Sequence, residues 1–172
     1  MFNISYFIIY FTMGNIQKIK YIETKIVFQE IPNEISLAIN ITNCPNRCKG
    51  CHSPYLQKDI GDELTLEEIN KLVKNNLGIT CILFMGGDNN RTELNKLSEY
   101  IKNTFSLKVG YYSGYDNFDN LYLNNYDYIK LGHYDCNLGG LDSPKTNQKL
   151  FKLENINNIF TITDLTYKLT KQ

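Results

Sequence analysis

Residues 79–85, Ile-Thr-Cys-Ile-Leu-Phe-Met, read as a continuous apolar run of strand length that passes straight into Gly86-Gly87-Asp88. A strand that offers water neither face belongs inside a parallel sheet covered on both sides. The flanking sequence supplies partners for such a sheet. Residues 34–40 alternate apolar and polar side chains, which is the period of a strand. Thr65-Leu-Glu-Glu68 is a capping box, so a helix is predicted to begin near Leu66, carry Leu66, Ile69, Leu72, Val73 and Leu77 on one face, and stop at Gly78. A second helix is predicted over residues 92–103, with Leu94, Leu97 and Ile101 together. Two further strands are expected at 107–112 and 126–131, separated by a short helix at 116–123. Residues 133–147 read as a surface loop, and 149–153 with 158–163 as a terminal hairpin. This alternation implies right-handed crossovers and an α/β fold with a mostly parallel sheet.

Composition narrows the function classes. At 172 residues the chain is expected to be one domain, long enough to bury roughly two-thirds of its unfolded surface. Its 18 basic and 18 acidic residues cancel, so charge points neither to nucleic acid nor to an anionic membrane. Residues 1–12 form an uncharged apolar run without a basic leader segment, shorter than the about 20 residues that cross a bilayer. They are read as a nonessential extension, the alternative being a strand or partner-binding tail, with 13–172 as the single domain.

Of five cysteines, Cys44, Cys48 and Cys51 stand together in Cys-Pro-Asn-Arg-Cys-Lys-Gly-Cys-His. That clustering argues for metal binding in a reducing cytoplasmic setting rather than a disulfide framework. Three soft thiolates suit zinc or an iron–sulfur cluster. Spacing leaves open a zinc site with His52, Cys81, Cys136 or His133 as fourth ligand. The loop is read instead as an iron–sulfur site with one iron open to a small molecule. Both the cysteine loop and Gly86-Gly87-Asp88 follow predicted strands, at the ends where parallel sheets bind ligands. Gly86-Gly87 alone would be an ordinary turn. Asp88 adds a carboxylate able to receive an ammonium group. Cys81, inside its strand, reads as an inert buried thiol.

A C-x3-C-x2-C loop after one strand and Gly-Gly-Asp after the next resembles the radical S-adenosylmethionine enzymes. Within them, Gly50 before the third cysteine, Leu83-Phe-Met-Gly-Gly-Asp-Asn89, Tyr126-Asp-Tyr-Ile-Lys-Leu-Gly132 and Gly139-Gly-Leu-Asp-Ser-Pro144 are similar to the glycyl-radical-enzyme activases of anaerobic ribonucleoside-triphosphate reductase. The resemblance implies a partial (βα) barrel in which Cys44, Cys48 and Cys51 hold a [4Fe-4S] cluster. It implies an S-adenosylmethionine site at Gly50, Cys51 and His52 and at Gly86, Gly87 and Asp88, with Ser113, Gly114 and Lys130 at later strand ends. It further implies reductive cleavage of that cofactor, an electron donor such as flavodoxin or ferredoxin, and the large reductase chain as protein substrate. Another glycyl-radical partner, or a small-molecule substrate, would use the same machinery.

Overall fold

The computed structural model describes residues 18–157 and 159–170. The expected 1–12 extension lies outside them. The elements are β1 (Lys20–Val27), β2 (Ser36–Ile41), β3 (Asp62–Glu63), α1 (Leu66–Asn75), β4 (Cys81–Met85), α2 (Arg91–Thr104), β5 (Lys108–Tyr112), β6 (Tyr128–Leu131), β7 (Lys149–Ile156) and β8 (Ile159–Asp164). They form one eight-stranded open sheet in the order β3-β1-β2-β4-β5-β6-β7-β8.

The parallel core is β2-β4-β5-β6, registered Ser36 to Cys81, Cys81 to Lys108 and Gly110 to Tyr128. Its neighbours are antiparallel on both sides, so four of the seven strand pairings are antiparallel. The mostly parallel sheet read from the sequence is thus a mixed one. The difference comes from strands with weak apolar patterning. β1 is mostly half-exposed and β3 is two exposed residues, so neither carries the buried signature that marks a central strand, while β7 and β8 pair as the terminal hairpin expected at 149–153 and 158–163.

Burial explains the apolar run. Leu37, Ile39, Ile82, Phe84, Val109 and Ile129 face the larger core, which Ile69 of α1 and Leu94, Leu97 and Ile101 of α2 cover. Ala38, Leu83 and Tyr128 face a second core with Ile31, Leu150 and Leu165. Both faces of the parallel strands are therefore dry. No helix of the described residues is long and apolar enough to cross a membrane.

Local chemistry sets the helix ends. Thr65 accepts a hydrogen bond from the Glu68 amide at 3.2 Å, as the capping box requires. The stop comes before Gly78, because Asn76 turns its side-chain amide back onto the Leu72 carbonyl at 2.8 Å. Leu77, expected on the buried face, is 90% exposed in consequence. The helix expected at 116–123 does not form. There Asn117 accepts from the Asp119 amide at 3.2 Å and Asn120 adopts φ +60°. Arg91 and Asn95 of α2 donate to the Asp119 and Asn120 carbonyls and hold the segment in these turns.

Two buried carboxylates tie the parallel strands at opposite ends. At the amino ends, Glu34 precedes β2 and accepts from Thr80 before β4 at 2.7 Å, from Tyr128 of β6 at 2.8 Å, and from Lys108 of β5. At the carboxyl ends the corresponding group is Asp88.

Candidate iron–sulfur site

β2 ends at Ile41 and releases the chain into the cysteine loop, which is pinned by backbone bonds from Asn43 to Lys58 and from Cys44 to Leu56, each 2.9 Å. Left-handed backbone at Asn43 and Arg47 folds the loop tightly. Cys44, Cys48 and Cys51, all half-buried, line one cavity of about 240 Å³. The opposite wall comes from the strand ends: Gly86 and Asp88 after β4, Ser113 after β5, and Lys130 of β6. His52 lies at the same rim, edge-on to Tyr134 with ring centres 4.8 Å apart.

Nine of the residues expected from the sequence, Gly114 among them, thus meet at one place, and two do not belong to its wall. Gly87 is buried against α2, where a Cβ would stand 3.1 Å from Leu94 Cδ2. Its missing side chain makes room for helix packing, not for a ligand. Gly50, at φ +74°, faces the loop after β6, and a Cβ there would come within 3.1 Å of the Cys136 Cβ. Cys136 and Tyr134 therefore close over the outer side of the cysteine loop.

Asp88 is the most constrained group in the site. Its side chain is 1% exposed. Oδ2 accepts from Asn46 Nδ2 at 2.7 Å and from the Gly114 amide at 2.8 Å. Oδ1 accepts from Ser113 Oγ at 2.7 Å, from Arg91 at 3.3–3.4 Å, and from the Tyr111 hydroxyl. Two oxygens engaged by five residues are close to the acceptor capacity of a carboxylate. The carboxylate expected to await an ammonium group is already occupied in joining the cysteine loop, α2 and β5. Arg91 completes the cluster by stacking on Tyr115, its guanidinium carbon 4.3 Å from the ring centre.

Asn46, Arg91 and Tyr111 were not visible as site residues in the sequence. The one available signal was the i, i+3 spacing of Asp88 and Arg91, which permits an ion pair across a helical start. Lys130 is buried, and burial pushes its pKa down to about 8, with the nearby Asp88 charge partly offsetting that shift. Its Nζ donates to the Ser113 carbonyl at 3.2 Å and the Gly132 carbonyl at 2.6 Å. Cys81, the other buried cysteine, has its thiol pushed up to about 12 by burial, as expected of an inert core thiol.

The donor set fits an iron–sulfur cluster. Three thiols border one cavity, the Ser53 amide points at Cys51 Sγ from 3.4 Å, and Asn46 Nδ2 stands 3.7 Å from Cys44 Sγ. Among the described residues, no three His, Cys, Asp or Glu side chains gather closely enough to share one metal ion. A cubane takes one thiolate per iron, so three cysteines around one cavity suit it.

The small cavity shares walls with two larger ones. One, of about 890 Å³, adjoins it at Asn46, Cys48, Gly114 and Tyr134. The other, of about 770 Å³, adjoins it at His52, Met85, Tyr112, Lys130 and Gln148.

A family model described as a 4Fe-4S single cluster domain matches residues 35–137. That span runs from the start of β2 past Cys136 and includes every residue of the cavity wall named above except Gln148. No curated protein and no solved structure matches the chain.

Proposed function

The chain belongs to the 4Fe-4S single cluster domain family, and from that membership we propose that it is a radical S-adenosylmethionine activase that installs a glycyl radical on the large chain of anaerobic ribonucleoside-triphosphate reductase. The observation that carries the proposal is the single cavity bordered by Cys44, Cys48 and Cys51 on one side and by Gly86, Asp88, Ser113 and Lys130 on the other. When bound, the cluster would supply one electron to S-adenosylmethionine, whose S–C5′ bond would break to release methionine and a 5′-deoxyadenosyl radical.

The chain's own task is to bind and orient. Cys44, Cys48 and Cys51 would hold the cluster, and with only three protein thiolates one iron would be open to the amino acid end of the cofactor. Lys130 spends two of its three N–H bonds on carbonyls, so the third is available to a ligand carboxylate. Asp88 shapes the wall from behind, through Ser113 and Gly114. The adjoining cavities on both flanks give the room a protein loop needs to reach the centre, which suits a macromolecular substrate. A low-potential donor, flavodoxin or ferredoxin in kind, would supply the electron.

The test is anaerobic reconstitution with iron and sulfide, followed by dithionite and S-adenosylmethionine. About four irons per chain and release of 5′-deoxyadenosine are expected. Adding the large reductase chain should then give a glycyl-radical doublet in paramagnetic resonance. A stoichiometric zinc ion without cofactor cleavage refutes the enzyme. Cleavage without the doublet redirects the search to another glycyl-radical partner or a small molecule.

A further inference from the structure

We infer that Asn46 is a positioning residue that ties Cys44 to the buried Asp88 carboxylate and thereby sets the reduction potential of the cluster. The inference rests on the iron–sulfur reading of the loop and is independent of the radical chemistry.

Asn46 Nδ2 lies 2.7 Å from Asp88 Oδ2 and 3.7 Å from Cys44 Sγ. A carboxylate accepts only from the nitrogen of an amide, so Asp88 decides which way the Asn46 side chain is turned. The second hydrogen of the same NH2 group is then the one available to sulfur. Asp88 cannot drift to follow Asn46, because Arg91, Ser113, Tyr111 and the Gly114 amide all hold it.

Gly114 supplies an independent observation. A Cβ on it would sit 2.3 Å from Asn46 Nδ2 and 2.7 Å from Asn46 Cγ. Its backbone is not in the left-handed region, so the glycine is needed for space and not for conformation. The end of β5 has been left bare where the Asn46 amide lies. Hydrogen bonds to cluster sulfurs favour the more negative reduced state and raise the potential. Loss of the Asn46 bond therefore lowers it.

The experiment is a redox titration of the reconstituted full chain, followed by paramagnetic resonance, for wild type, Asn46→Ala, Gly114→Ala and the double variant. Iron content and melting temperature are measured alongside. Both single variants are expected to shift the midpoint to lower potential. The double variant should match Asn46→Ala, because Gly114→Ala acts by displacing a side chain that is no longer there. A merely structural role would change melting without moving the midpoint.

An Asn46→Ala midpoint equal to wild type, at equal iron content, overturns the inference. So does a Gly114→Ala shift that adds in full to that of Asn46→Ala. Where Asn46→Ala does not retain iron, Gly114→Ala alone decides: a wild-type midpoint overturns the inference and a lowered one upholds it. A wild-type chain that takes up no cluster refutes the iron–sulfur reading instead, so the two failures are distinct.

Discussion

Cys48 and Lys130 show how single residues in this site answer to different physics. Cys48 contributes one of only three thiolates, so Cys48→Ala leaves two and is expected to abolish stable cluster loading. Iron and sulfide analysis after gel filtration checks this. Lys130 is charged where charge is expensive. Its folded-state pKa is lowered from 10.5 to about 8, so below pH 8 it is protonated folded and unfolded and the burial penalty is full. Between those values the folded state binds fewer protons than the unfolded one, and stability rises with pH. Urea unfolding of the metal-free chain is expected to show a gain of roughly 2 kcal/mol between about pH 7.5 and 9.5, and Lys130→Met should remove that rise. An identical slope in both proteins would contradict the placement of Lys130 in a dry wall.

Elements are held in register by the paired carboxylates in addition to their apolar faces. Glu34 stands before β2 and gathers Thr80, Lys108 and Tyr128 at the amino ends of β4, β5 and β6. Burial alone would raise its pKa, but the bonds from Lys108, Thr80 and Tyr128 outweigh burial and hold it below the usual glutamate range. Its contribution is complete above the ordinary pKa and is lost as pH falls through the lowered one. Glu34→Gln is expected to cost about 1–3 kcal/mol at neutral pH and to flatten the acid limb of a stability profile. The cap of α1 is a smaller matter. Thr65→Ala removes the bond to the Glu68 amide and should cost about 1 kcal/mol, readable as a lower urea midpoint at unchanged m.

The whole molecule is a sheet with its metal loop at one end, and the dry faces of the parallel strands do not depend on that loop. Chelation should therefore leave far-ultraviolet circular dichroism nearly unchanged, unlike small zinc modules that unfold without their ion. Cluster loading should raise the melting temperature by mass action on the folded state. Loss of the sheet signal on chelation would mean that the cysteine loop organises the core.

Local rules carried far into this protein. The strand at 79–85, the helix beginning at Leu66 and the two motifs at strand ends each follow from neighbours in the chain, through periodicity, capping and turn chemistry. The cysteine triplet narrowed the metal to zinc or an iron–sulfur cluster by softness and number, and the family match decided for the cluster. Long-range contacts decided the rest. β1 is a strand because β2 and β3 pair with it, not because its own pattern demands it, whereas β7 and β8 form the hairpin already legible at 149–153 and 158–163. Residues 116–123 are irregular through the turns at Asn117 and Asn120, and Arg91 and Asn95 brace them by donating to the Asp119 and Asn120 carbonyls. Gly87, Gly50 and Gly114 are small for three different neighbours: a leucine on α2, a cysteine beyond β6, and the amide of Asn46. Asp88 reads in the sequence as a free acid beside two glycines. Folding brings it four donor residues from distant parts of the chain beside the neighbouring Arg91, and a carboxylate surrounded by donors becomes a joint rather than a hook.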